Sequence, residues 1–264
     1  MRAFRVRYTP DQVAIPRFFI PVALEMAGEY ELPPTAAHHA LRVLRLKTGD
    51  ALILFDGTGG EHRVRISRSG EGKVLVMPES FCAREAESPL QLWLGQSLCA
   101  TEKMDWILQK AVELGVSRCT PLQAERSVVR LSEERAARRL EHWRRVTEAA
   151  CEQSGRNRVP EVDPIEPLRT WLARLPQNGL RLMLSPQGEV SLADLPPPAG
   201  PVILLVGPEG GLSGEEERAA RSSGFQPLRL GPRILRTETA ALALVSALQA
   251  RWGDFVQEPV RHPL

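Results

Sequence analysis

Residues 202–217 read Val202-Ile203-Leu204-Leu205-Val206-Gly207-Pro208-Glu209-Gly210-Gly211-Leu212-Ser213-Gly214-Glu215-Glu216-Glu217. Five consecutive apolar residues, all of them Val, Ile or Leu with no polar alternation, are the pattern of a strand buried on both faces, as in a parallel sheet covered by helices. The run breaks into a glycine-rich loop at Gly207–Gly211. Ser213 and Glu216 then form an S-x-x-E capping box, which specifies the start of a helix at about Gly214. Ligands of open α/β sheets settle at the carboxyl ends of the strands, and glycines there let backbone N–H groups approach a ligand with no Cβ in the way. The loop is therefore a small-molecule site candidate, although the same glycines also suit a plain tight turn. It lacks the G-x-x-x-x-G-K-[ST] of a phosphate loop and the G-x-G-x-x-G of a dinucleotide fold. Gly57–Gly60 fares no better, because His62 stands where a third glycine is needed.

A second segment, Leu228–Ala243, reads LRLGPRILRTETAALA. Leu228–Leu230 predicts a short strand, Gly231-Pro232 a sharp turn and Arg233–Arg236 a loop, with Thr237 as N-cap of a helix to Ala250. That helix is almost wholly apolar through Leu248, so it belongs in a core or an interface. Two such loops, each between a strand and a helix, build one pocket if their strands are neighbours.

Outward from these segments, the chain from Leu90 alternates strands and helices. Strands are expected at Leu90–Leu94, Cys119–Leu122 and Leu180–Ser185, and helices at Thr101–Leu114, Ser132–Ser154 (closed by Gly155) and Gly214–Ser223. This is the grammar of an α/β fold with a parallel sheet. Before Leu90 the pattern is different. Arg17–Ile20, Ala51–Phe55, Glu61–Ser67 and Lys73–Pro78 read as short strands, with Val64 and Ile66 alternating against Arg63 and Arg65. A helix capped by Thr35 presents Ala37, Leu41 and Leu44. Short strands within about 75 residues suggest a small β-barrel. The resulting division is an extension at 1–15, a barrel at 16–80, a linker at 81–89, an α/β domain at 90–252 and a tail at 253–264.

Charge is distributed unevenly. Lys plus Arg against Asp plus Glu is 11 to 8 over residues 1–75, 9 to 5 over 126–158 and 4 to 9 over 159–220, and 30 of the 34 basic residues are Arg. Arginine forks onto phosphate and stacks on bases, so this composition is compatible with a nucleic-acid partner, although genomic base composition gives the same bias. The arginines of the Ser132–Ser154 helix fit a solvated face as well as an RNA contact. No apolar run approaches the roughly 20 residues of a membrane span, and the basic N-terminus has no apolar core behind it, so a cytoplasmic protein is expected. Cys82, Cys99, Cys119 and Cys151 form no C-x-x-C pair and the five histidines complete no zinc pattern, which points to reduced, non-catalytic thiols and no metal.

Taken together, GPEGGLS and RLGPRILRTETAAL resemble the C-terminal signature of the SPOUT class of methyltransferases, and most closely the RsmE family, which methylates N3 of a uridine in 16S ribosomal RNA. Further matches are Arg17-Phe18-Phe19, His38–Leu46 leading to Gly49-Asp50, KMDWILQKAVELG at Lys103–Gly115, Glu125-Arg126-Ser127 and EQSGR at Glu152–Arg156. The resemblance covers about Pro16 to Trp252. It implies a PUA-like barrel, a trefoil knot in the α/β domain, a homodimer, S-adenosylmethionine as cofactor, and 16S rRNA within the small subunit or a late assembly intermediate as partner. The extension before Pro16 departs from the family pattern; it is disordered, or touches RNA through Arg2, Arg5 and Arg7, or reflects a misplaced start.

The resemblance also implies where the cofactor sits: among the loops after Leu180–Leu184, at Gly207–Gly211 and at Leu230–Arg236. Leu184, Gly207, Glu209, Gly210, Leu230, Gly231, Ile234, Leu235, Arg236 and Thr239 are the expected cofactor residues. Uracil N3 must lose a proton, which calls for a base or an anion-stabilising cation. The candidates are Arg17, Arg236 and Glu209, and water is an equally open choice of base. Arg17, Arg42, Arg45, Arg63, Arg65 and Arg126 are the expected RNA contacts.

Overall fold

The computed structural model describes residues 15–255 and divides the chain into two compact units at Glu85–Ala86. The first contains β1 (Arg17–Phe19), β2 (Tyr30–Glu31), α1 (Pro34–His38), β3 (Ala51–Phe55), β4 (Glu61–Gly70) and β5 (Lys73–Cys82). They form one mixed sheet in the order β1-β3-β4-β5-β2, with β1 parallel to β3 and the other pairs antiparallel. The sheet curls into a half-barrel around Phe18, Ile20, Leu32, Leu52, Leu54, Val64, Ile66 and Val76. Along β4 the expected alternation holds: Val64 and Ile66 are buried, Arg63 and Arg65 exposed.

Thr35 is not the N-cap; Pro33 holds that position and Pro34 opens α1, where a missing N–H costs nothing. The helix then widens into a π-turn at His39–Val43. The larger turn rotates the apolar face, so that Ala36, Ala37 and Ala40 are buried while Leu44 is exposed. β5 also runs past Pro78 to Cys82. The register slips opposite Arg63 and Val64, leaving Glu79 between the paired Pro78 and Ser80, and such a bulge is where a strand tolerates proline.

The second unit contains β6 (Leu92–Ser97), α2 (Thr101–Glu113), β7 (Val116–Gln123), α3 (Glu133–Ser154), β8 (Glu161–Val162), β9 (Glu166–Pro167), α4 (Leu168–Arg174), β10 (Leu180–Leu184), β11 (Val202–Val206), α5 (Gly214–Ser222), β12 (Gln226–Leu228) and α6 (Thr237–Trp252). The sheet is parallel throughout, in the order β12-β10-β11-β6-β7-β8, with β9 beside β7. Every residue of β11 is buried, and helices supply the covering layers: one buried cluster joins α2, α3 and α6 with β6 and β11 and includes Leu94, Leu108, Trp143, Leu204 and Val245, and another joins α4 and α5 with β11 and includes Trp171, Ala220 and Leu205. None of the described helices is long and apolar enough to cross a membrane. Arg2, Arg5 and Arg7 lie outside the described residues.

The strand expected at Leu228–Leu230 lies two residues earlier. Its ladder partner β10 ends at Leu184, paired with Leu228, so nothing remains for Arg229 and Leu230 to pair with on that side. The strands expected at Leu90–Leu94 and Cys119–Leu122 are found at Leu92–Ser97 and Val116–Gln123. The short elements β2, β8, β9 and α4 were not foreseen; at two to seven residues they carry too little periodicity to read. α3 does begin after Ser132 and closes on Gly155, whose φ of +80° is the left-handed C-terminal cap that glycine adopts freely.

Candidate functional site

The strand order places β10 between β11 and β12. The loops that leave the carboxyl ends of these three strands therefore lie side by side, and they enclose a cavity of about 610 Å³, within the usual 300–1,000 Å³ of a small-molecule site. Its apolar wall includes Leu184, Val206, Leu228, Leu230, Ile234 and Leu235, and its glycine wall is Gly207, Gly210 and Gly211. Of the residues expected at a cofactor site, Leu184, Gly207, Glu209, Gly210, Leu230, Ile234, Leu235 and Arg236 line it. Gly231 and Thr239 stand outside the lining: Gly231 turns the chain at a φ of +69°, and Thr239 is exposed on α6. Ser185, Pro186, Pro208 and Arg233 line the cavity as well, each within one of the three expected loops, whereas Glu217 and, from the first turn of α2, Lys103 line it from outside them.

The 207–211 loop is braced from several sides. The Arg126 guanidinium donates to the Gly210 carbonyl at 3.2 Å and the Leu212 carbonyl at 3.3 Å. A Cβ on Gly210 would lie 3.3 Å from Arg126 Cβ, so the absence of a side chain is what allows this approach. The capping box is present, and the buried Glu216 also accepts from the Glu125 backbone N–H at 2.7 Å, joining the start of α5 to the loop after β7. Thr237 is not the N-cap of α6. Arg236 holds that position, and the buried Thr237 hydroxyl donates to the Gly207 carbonyl at 2.7 Å while accepting from Gln96 Nε2 at 3.0 Å. Its oxygen is spent on tertiary contacts instead of a local cap.

Glu209 is held by Lys103 Nζ at 3.1 Å and by the Ala100 N–H. Burial opposes its ionisation, but its own backbone N–H, Lys103 and Ala100 together outweigh that and keep its carboxyl below the usual range. Lys103 is correspondingly pushed up, chiefly by its hydrogen bond to Glu209. Nearby Cys99 is buried, and burial reinforced by the Glu209 charge raises its thiol to about 12; it stays protonated at neutral pH and is no nucleophile.

In the first unit, Arg17 is ion-paired with Glu61, which also binds Arg84, and lies 5.1 Å from the centroid of the Phe55 ring. This ties its guanidinium into the half-barrel. Arg63 and Arg65 share Glu79 on the exposed face of β4, whereas Arg42 and Arg45 are exposed at the π-turn and make no ion pair among the described residues. Arg126, expected at RNA, is occupied with the loop carbonyls.

Comparison with known proteins adds the relationship that geometry alone does not give. Residues 86–249 match the family model of the RNA methyltransferase domain, and residues 32–78 match that of the RNA methyltransferase PUA domain. The chain is 35% identical over 240 residues to the ribosomal RNA small subunit methyltransferase E of Buchnera aphidicola subsp. Schizaphis graminum, covering 91% of this chain and 98% of the relative. It is 32% identical to the protein of the same name from Bacillus subtilis, covering 88% and 95%. Among solved structures, the ribosomal RNA small subunit methyltransferase E of Neisseria gonorrhoeae bound to S-adenosyl methionine is similar, with a TM-score of 0.86 and 40% identity over 92% of this chain and all of that one. A cavity framed by GPEGG and LGPRILRTET, on a chain matched over nearly its whole length, leads to one assignment: the chain belongs to the ribosomal RNA small subunit methyltransferase E family.

Proposed function

We propose that this chain methylates N3 of a specific uridine in 16S ribosomal RNA, with S-adenosylmethionine as methyl donor. The observation that carries the reading is the cavity at the ends of β10, β11 and β12, because its size, apolar wall and glycine wall suit an adenosyl group with an amino-acid tail. Leu230, Ile234 and Leu235 would hold the adenine, and the glycines would admit the ribose and methionine part. When bound, the cofactor supplies a methyl group on a positively charged sulfonium.

The new bond is N3–CH3 and the broken one is S–CH3, whose electron pair stays on sulfur. The N3 proton must leave to a base, and negative charge develops over the uracil O2 and O4 oxygens. Arg236, at the N-terminus of α6 and on the cavity wall, is suited to stabilise that charge. Glu209 is the anion on the opposite loop; held ionised by Lys103, it is a poor proton store and serves better in binding. Arg17 would have to exchange Glu61 for RNA to take part, which makes it the weaker of the two arginine candidates.

The substrate proposed is 16S rRNA within the small subunit or a late assembly intermediate, in the cytoplasm, gripped by the unit spanning 16–80 and modified by the unit spanning 90–252. Arg42 and Arg45, exposed and without an ion pair among the described residues, are favoured over Arg63 and Arg65 for phosphate contacts. A homodimer and a trefoil knot in the second unit complete the reading. The test is incubation with labelled S-adenosylmethionine and small subunits lacking the modification, followed by digestion to nucleosides. Label in N3-methyluridine at one site is expected; label in a ribose-methylated nucleoside would overturn the assignment of the target atom.

A further inference from the structure

Lys103 joins three elements at the cavity. Its ammonium stands 3.1 Å from Glu209 Oε1 on the loop after β11 and 3.4 Å from Glu238 Oε2 in the first turn of α6. Lys103 and Glu209 face the cavity, and Glu238 stands behind them with little exposure. One ammonium is thus shared by two carboxylates, which leaves the cluster with a single net negative charge. The other charged residues of the wall, Glu217, Arg233 and Arg236, make no ion pair with it among the described residues. Beside an apolar wall such a charge is screened less than it would be in bulk water.

The reaction proposed above begins with a sulfonium in this cavity and ends with a neutral thioether. Cofactor and product otherwise share their nucleoside and amino-acid parts, so shape and hydrogen bonding barely separate them; charge does. We propose that the Lys103–Glu209–Glu238 cluster is the specificity element that favours the sulfonium cofactor over its thioether product, with Lys103 setting the net charge at minus one. Two carboxylates left without the ammonium would repel each other, and one would take up a proton or swing away. The lysine therefore holds both carboxylates ionised together while leaving one net negative charge on this cluster, local to its part of a wall that also carries Arg233 and Arg236. This inference rests on the cofactor reading given under the proposed function.

The charge account makes a prediction of opposite signs that a packing role does not. Dissociation constants for S-adenosylmethionine and S-adenosylhomocysteine would be measured by calorimetry on the full chain and on Glu209→Gln, Glu238→Gln, Lys103→Met and Lys103→Arg. Each carboxamide variant should lower the preference for the sulfonium by about fivefold, the scale of one partly screened charge at several ångströms, with the thioether affected less than twofold. Lys103→Arg should leave the preference unchanged, and Lys103→Met, which still leaves one ionised carboxylate, should keep it. Equal weakening of both ligands in the carboxamide variants, or a Lys103→Met that loses preference as they do, would overturn the inference. Failure of the unmodified chain to bind either ligand would sink the cofactor reading itself. Thermal unfolding of each variant separates misfolding from a change of preference.

Discussion

The two loops that frame the cavity differ in how they are held. Residues 207–211 are fixed by Arg126, by Lys103 through Glu209, by Thr237 through the Gly207 carbonyl and by the Glu216 capping box just beyond them. Residues 230–235 make no hydrogen bond or ion pair among the described residues, and Ile234 is 84% exposed. Yet both loops join a parallel strand of one sheet to a helix. The contrast is between a wall preorganised by hydrogen bonds and ion pairs and one that has none among the described residues. A ligand that buries Ile234 gains apolar area at about 25 cal/mol per Å², and part of that gain is offset by ordering the loop.

The comparison can be broken most severely at Thr237. Thr237→Val removes the hydroxyl that bonds Gly207 and Gln96 in a buried setting, and leaving such groups short of a partner costs about 2–3 kcal/mol. Urea unfolding should show this loss, and calorimetry about a tenfold weaker cofactor; an unchanged midpoint would mean that the loop is held without this anchor. Glu216→Ala comes next. It removes the acceptor for two backbone N–H groups and should cost about 1–2 kcal/mol, the scale of a lost cap, again read by urea unfolding. The smallest effect on the fold is expected in the unbraced loop. Ile234→Ser should leave stability within about 0.5 kcal/mol while weakening the cofactor several-fold. A stability loss as large as that of Glu216→Ala would show that the two loops are held alike.

The sequence reading succeeded where the signal is local. β11 is apolar at every position, so its burial on both faces follows from composition. Ser213 and Glu216 are three residues apart, and the capping box forms as spacing predicts. Gly155 ends α3 for an equally local reason. The reading failed where a side chain is used at long range. Thr237 has the residue type of an N-cap, but its oxygen serves Gln96, 141 positions away. Arg126 reads as a free cation and instead braces carbonyls 84 and 86 positions on. Arg17 reads the same way and is claimed by Glu61. Lys103 lies in a segment read only as a helix and as part of the family resemblance, and its one available signal was its place in the first turn of a helix that follows a parallel strand.

By itself the sequence determined the α/β grammar, the two glycine-bearing loops and the family, because strand burial, capping and motif identity are properties of neighbouring residues. Only the tertiary structure decided that β10 lies between β11 and β12 and so gathers three loops into one cavity, and that Lys103 meets Glu209, 106 positions away, at that cavity. Strand order is fixed by which crossovers bury their helices on the sheet, and charge by which side chains then meet; neither is encoded in the spacing of adjacent residues.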